Sequence, residues 1–156
     1  MQPPNSSSAP SPSAPPPAEA PLCLRPDLAD LKLLSDFIEA FGERNGFVPT
    51  DTNAFLLAAE ELFANTVHHG RPPATVVSFA LAVEQGLATA TYSDDAGAFD
   101  PTAVPAADTT LPQEKRAIGG LGIHFIRRTM QTFAWHREGA RNVVTFSRAV
   151  GLLAAR

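Results

Sequence analysis

Residues 58–70 read Ala-Ala-Glu-Glu-Leu-Phe-Ala-Asn-Thr-Val-His-His-Gly, and this stretch limits the rest of the chain more than any other. Placed at about 100° per residue around a helix axis, Phe55, Leu56, Ala58, Ala59, Leu62, Phe63, Thr66 and Val67 share one broad arc, the face that such a helix buries. Glu61, Asn65 and His69 follow at four-residue steps and form a row along one border of that arc. Glu60 falls on the opposite border. A carboxylate and a carboxamide beside a buried stripe stand where the wall of a cleft would be, because neither is buried without a partner.

Taken alone, Glu61 and Asn65 read as ordinary polar residues on a helix flank. Two stretches downstream change that reading. Asp94-Asp95-Ala96-Gly97-Ala98-Phe99-Asp100-Pro101 is an acidic turn of small residues after a strand pattern, and Gly119-Gly120-Leu121-Gly122-Ile123 is a glycine-rich turn entering a helix. Three separated elements in this order point to a nucleotide site.

The chain has 156 residues, enough for one domain with a real core. Its net charge of −4 argues against a nucleic-acid partner held by a basic surface. Cys23 is the only cysteine, which excludes an internal disulfide and a cysteine-rich metal site and fits a reducing compartment. No apolar run approaches the roughly 18 residues of a membrane span, and the start lacks the basic and apolar regions of a secretory signal. The expectation is a cytoplasmic protein with no membrane contact.

Residues 1–20 are Pro, Ser and Ala with almost no charge, a composition that predicts a disordered tail. Residues 21–25 predict a short edge strand. Pro26-Asp27 opens a helix whose Leu28, Leu31, Leu34, Ile38 and Phe41 recur at three- and four-residue steps, and Asn45-Gly46 stops it. A second helix starts at Pro49-Thr50-Asp51, with Thr50 or Asp51 as its N-cap, and runs to about His68. His68-His69 has no zinc-ligand spacing, so the pair reads as structural or supporting. Thr75–Val83 and Leu87–Tyr92 predict a hairpin across Glu84-Gln85-Gly86. Residues 101–117 form a long irregular loop ending in Lys115 and Arg116. A third helix covers Ile123–Gln131 with Ile123, Ile126 and Met130 inward. Thr132–His136 and Asn142–Ser147 form a second hairpin, in which Phe133 and Trp135 are packing aromatics. The order implies an α/β two-layer sandwich: a mostly antiparallel mixed sheet with three main helices on one face, spanning residues 21–150, with 151–156 as a C-terminal end.

With these pieces assembled, residues 22–148 resemble the GHKL (histidine-kinase-like) ATP-binding fold, and within it the RsbW/SpoIIAB-like anti-sigma factor serine/threonine kinases. The resemblance rests on Glu61-Leu62-Phe63-Ala64-Asn65 with His69-Gly70, on Phe99-Asp100-Pro101, and on Ile118-Gly119-Gly120-Leu121-Gly122-Ile123-His124. It implies that ATP and Mg²⁺ are the cofactors. The Asn65 oxygen would ligate Mg²⁺, and Glu61 would act as general base toward the attacking hydroxyl or orient it. Asp94 would accept the adenine amino group, with Asp95 and Gly97 as the alternative one-residue register. Gly119, Gly120, Leu121, Gly122 and Ile123 would cradle phosphates with backbone N–H groups. Residues 101–117 would be a lid that brings Lys115 or Arg116 to a phosphate. The sequence departs from the family at Ala96, which stands where the acidic turn usually has glycine.

The resemblance further implies a partner-switching regulator that holds a sigma factor and phosphorylates a STAS-domain anti-sigma antagonist. Relatives are commonly dimers, and the first helix or edge strand could supply the contact of a homodimer. Two other readings stand beside this one. One is a non-catalytic ATP-binding regulator that sequesters its partner, which Ala96 favours. The other is a histidine-kinase-type catalytic domain acting in trans.

Overall fold

The structure is a computed structural model that describes residues 19–106, 108, 110–112 and 120–154. A short strand, β1 (Leu22–Leu24), leads through a 3-10 turn at Leu28–Asp30 into helix α1 (Leu31–Arg44), followed by α2 (Pro49–His69). The hairpin β2 (Val77–Glu84) and β3 (Leu87–Asp94) comes next, then α3 (Gly120–Thr129) and the hairpin β4 (Thr132–Glu138) and β5 (Arg141–Ala149). The expected disordered tail lies outside the described residues except for Glu19 and Ala20; Glu19 takes two hydrogen bonds of 2.9 Å from Arg44.

In α1 the predicted stripe packs inward from Leu31 on, with Leu34, Ile38 and Phe41 buried; Leu28 instead lies in the 3-10 turn before the helix and is exposed, because α1 opens at Leu31 and not at Pro26-Asp27. An added Cβ on Gly42 would lie 2.5 Å from Thr52 Oγ1, so the two helices approach closely at that point. The start of α2 corrects the expectation of a Thr50 or Asp51 cap. Val48 is the N-cap and Pro49 is the first helical residue, its fixed φ already suited to the helix. Asp51 is buried and engaged elsewhere: it accepts the Gly151 N–H at 2.7 Å and pairs with Arg148 at 2.7 Å. Both groups belong to the end of the chain.

The sheet has five strands in the order β1-β2-β3-β5-β4, and every neighbouring pair is antiparallel. The period-two alternation turns Val77, Phe79 and Leu81 of β2 and Ala88, Ala90 and Tyr92 of β3 to the buried side. Small residues on both surfaces, Ala88 and Ala90 on the sheet and Ala58 and Ala59 on α2, leave room for the larger Phe55, Phe63, Phe79 and Phe146 between the layers. The three helices cover this one face.

Because β5 lies between β3 and β4, it sets its first residues beside the last of β3: Tyr92 faces Val144 and Asp94 faces Asn142. The domain continues past residue 150. Gly151 and Leu153 hydrogen-bond to Val48 and Gly46, and Phe47 bridges Leu152. Among the described residues no helix is long and apolar enough to cross a membrane.

Candidate functional site

The row along α2 exists as predicted: Glu61 meets α3, and Asn65 and His69 line the cavity beside it. Asn65 donates its amide to Glu61 Oε1 at 3.2 Å. Glu61 is half-buried, and that burial raises its carboxyl above the usual range, against the lowering effects of the Asn65 hydrogen bond and of His69. What covers it is Gly122. A Cβ added there would fall 1.9 Å from the Glu61 carboxyl carbon, so glycine lets the first turn of α3 settle on this carboxylate without displacing it. The N–H groups of that first turn have no partner within the helix and carry its positive end.

The second cluster is built around Asp94, the last residue of β3. It is buried, and three donors converge on it. Oδ1 accepts from Ala96 N at 2.9 Å and Asn142 Nδ2 at 2.9 Å, and Oδ2 lies 3.1 Å from the Thr66 hydroxyl on α2. Asn142 is fully used: its amide also donates to the Gly97 carbonyl at 2.9 Å, and its oxygen accepts from Phe99 N at 3.0 Å and Trp135 Nε1 at 3.2 Å. One side chain from β5 thus fixes both ends of the acidic turn. A carboxylate offers about four lone-pair positions, so Asp94 keeps one for an incoming donor.

Between the two clusters lies a cavity of about 320 Å³. Its walls are largely apolar, with Leu62, Tyr92, Phe99, Val104, Ile123 and Val144; Asn65, Thr66, His69, Asp94 and Asn142 supply polar groups. Residues 101–104 form the near edge. Pro101–Ala103 is a 3-10 turn capped by Asp100, and Arg127 of α3 holds the Thr102 carbonyl at 2.9 Å and also the Val104 carbonyl.

Of the residues singled out from sequence, Asn65, Asp94, Gly97 and Ile123 line this cavity. Glu61 and Gly122 meet each other just behind Asn65. Gly120 opens α3, and Leu121 beside it is exposed. Gly119, Lys115 and Arg116 lie outside the described residues. Asp95 points away from the cavity: it accepts from Thr75 N at 2.7 Å, from Val76 N at 3.0 Å and from the Thr75 hydroxyl. These bonds, the Thr75 hydroxyl first, hold its carboxyl down at about 2. Asp95 therefore ties the entry of β2 to the acidic turn. Because its folded value lies below the unfolded one, its contribution is present above about pH 4 and is lost as pH falls toward 2. Asp95→Ala is expected to lower Tm at pH 7 while leaving ligand affinity near wild type, and the Tm gap should close between pH 4 and 2. A loss of affinity with unchanged Tm would put Asp95 in the binding site instead.

The alanine that replaces glycine in this turn is unstrained. Ala96 is not among the positive-φ residues, and its methyl lies 3.1 Å from where a Cβ on Gly70 would be. The space it takes is space that Gly70 leaves. Gly97 is the constrained position: an added Cβ would lie 1.9 Å from the Arg71 carbonyl oxygen, and its N–H donates to Pro72 O at 3.0 Å.

Sequence reasoning missed Thr66, Tyr92 and Asn142. Tyr92 was within reach, since it sits two residues before Asp94 on the same strand face. Asn142 carried no local signal.

The donor set fits a magnesium nucleotide. The Asn65 nitrogen is committed to Glu61, which leaves its oxygen for a hard cation, and Mg²⁺ takes few protein ligands and fills its octahedron with phosphate and water oxygens. Asp94 with its remaining lone pair suits a base bearing an amino group, and the apolar walls suit its ring. Compared with known families, residues 24–148 match the one described as "Histidine kinase-like ATPase domain". No curated protein matches the chain significantly. The buried Asp94 at one end of the cavity, the Glu61–Asn65 pair against the α3 turn at the other, and the match over most of the chain agree: this protein belongs to the histidine kinase-like ATPase domain family, whose members bind ATP.

Proposed function

We propose that the protein is a serine/threonine protein kinase and anti-sigma factor. It would use Mg-ATP to phosphorylate a STAS-domain antagonist, and would hold a sigma factor until the unphosphorylated antagonist displaces it. The observation that carries the catalytic half is the position of Glu61. Its half-buried carboxylate is one helical turn from Asn65, hydrogen-bonded to it, and faces the first turn of α3. A base needs a carboxylate near the phosphate end but outside the ring-binding walls, and the contacts of Glu61 with Asn65 and with the first turn of α3 support that role.

Each residue has a stated part. Asp94 accepts the base's amino group, with Thr66 and Asn142 fixing its orientation. Asn65 supplies one oxygen to the cation. The N–H groups from Gly120 to Ile123 receive phosphate oxygens. Glu61 takes or aligns the proton of the incoming hydroxyl. Bound Mg-ATP supplies the phosphoryl group and a counter-charge for it. The partners rest on the resemblance of residues 22–148 to the RsbW/SpoIIAB-like kinases.

The test is incubation with labelled ATP, Mg²⁺ and a STAS-domain protein encoded nearby. Label on the antagonist's serine or threonine supports the reading, and Asn65→Ala is expected to lower transfer by about 100-fold or more, since it removes the cation's protein ligand. Nucleotide binding without transfer would end the kinase reading in favour of a regulator that only sequesters its partner. Label on a histidine would favour the trans-acting histidine-kinase reading.

A further inference from the structure

Tyr92 is the chain's single tyrosine, and it is among its most buried side chains at 1% exposure. Its hydroxyl lies 2.7 Å from Thr66 Oγ1, at the side of the cavity where Asp94 stands. A buried phenol must place its proton somewhere. Burial pushes the Tyr92 hydroxyl far above its usual range, so the proton stays on it. The acceptor at hand is Thr66 Oγ1, and Tyr92 therefore donates.

That choice decides the next bond. Thr66 has one proton and two acceptors at the same distance, Leu62 O at 3.1 Å and Asp94 Oδ2 at 3.1 Å. With Tyr92 donating into it, Thr66 can only donate onward, and the anionic acceptor makes the stronger bond. The chain runs Tyr92 to Thr66 to Asp94. Oδ1 is already filled by Ala96 N and Asn142 Nδ2. The carboxylate is thereby pinned with one acceptor position on Oδ2 open to the cavity.

We propose that Tyr92 and Thr66 form a proton-directing pair that aims Asp94, and so sets which purine edge the site admits: one that presents a hydrogen-bond donor, such as a 6-amino group, and not one that presents an oxygen. Both act as positioning residues through Asp94. The proposal rests on the reading of the cavity as a nucleotide site. It adds two residues, from α2 and β3, to the discrimination that Asp94 alone would otherwise carry. An oxygen at the purine 6-position would meet the open lone pair acceptor to acceptor, since the Thr66, Ala96 and Asn142 donors are already turned to Asp94.

The experiment is calorimetric titration of the full chain with magnesium complexes of ATP, of purine riboside triphosphate, which has hydrogen at the 6-position, and of inosine triphosphate, which has oxygen there. Wild type is expected to prefer ATP over the purine riboside form by about tenfold or more, the usual worth of a hydrogen bond to a charged group. It should bind the inosine form weakest. Thr66→Val should bring the ATP to purine riboside ratio to within about threefold, with the loss falling on ATP. Thr66→Ser should restore it. Tyr92→Phe should give an intermediate ratio and provides a second route if the valine variant folds poorly. A merely structural role would weaken all three nucleotides together and leave the ratio intact; an intact ratio in both Thr66→Val and Tyr92→Phe overturns the proposal. Wild type that binds no adenine nucleotide overturns the nucleotide reading and this one with it, whereas selective wild type with equally selective variants removes only the directing pair.

Discussion

Glu61→Gln is expected to slow phosphoryl transfer by about 100-fold or more while nucleotide affinity stays near wild type, the usual worth of a positioned general base. The substitution keeps the shape of the side chain and its hydrogen bond with Asn65, and it removes only the basic oxygen. The same change should raise stability at neutral pH. The Glu61 carboxyl titrates higher in the folded protein than its ordinary value of 4.5, because burial penalises its charge. The folded state then binds more protons than the unfolded one, and stability is lost as pH rises from 4.5 through the raised value. Above the raised value the wild type carries that penalty and the glutamine variant does not. Their melting temperatures should converge below about pH 4, where both side chains are neutral. The wild-type rate should likewise fall as pH drops through the raised value. The opposing surface offers an independent check: Gly122→Ala puts a methyl where the carboxyl sits and should push the flexible Glu61 end aside, giving a similar loss of transfer with little change in Tm. Transfer within threefold of wild type in Glu61→Gln, or a lower Tm at pH 7, would remove Glu61 from the role of base.

The largest effect on folding is expected from Gly97→Ala. The added Cβ would sit 1.9 Å from the Arg71 carbonyl oxygen and 2.7 Å from its carbon. Both are backbone atoms, so relief requires moving one of two chain segments. Gly97 is also tied on each side, its N–H to Pro72 O and its carbonyl to Asn142. Overpacking of this kind costs roughly 1–3 kcal/mol, which for a domain of this size lowers Tm by roughly 3–12 °C. Affinity should fall too, since Asn142 orients both Gly97 and Asp94. The neighbouring Ala96→Gly removes a methyl from an unstrained residue and should change Tm far less. The comparison is a pair of thermal melts with a nucleotide titration, and equal melting temperatures for the two variants would contradict the packing described here.

How much of this was legible beforehand depended on how local each signal was. The stripe on α1 and the alternation in β2 and β3 are repeats within a few residues, and they gave the elements and the layer order. Their ends shifted where a distant partner intervened: Asp51 read as a helix cap, but Arg148 and Gly151 claim its carboxylate from the far end of the chain. The site followed the same rule. Glu61, Asn65 and Gly122, which the fold brings together, stood out because helix periodicity and glycine spacing mark them. The choice between Asp94 and Asp95 could not be made from two adjacent aspartates. Which of them faces the cavity is decided by Asn142 and Thr66, which reach Asp94, and by Thr75, which holds Asp95 outward. Trp135 looked like a packing aromatic, and its ring nitrogen nonetheless completes the hydrogen bonding of Asn142.

Helix α2 is held at both ends by different parts of the chain. Its first turn is gripped through Asp51 by residues 148–151, and its last turns carry Asn65 and Thr66 into the cavity. At about 1.5 Å per residue, its 21 residues form a rod of roughly 30 Å, long enough to cross the domain. A rod fastened at its foot resists tilting, so ligand loading should leave this helix where it stands. Damage to residues 148–151 would then be felt at the far end of the helix, as a loss of alignment between Glu61, Asn65 and the first turn of α3.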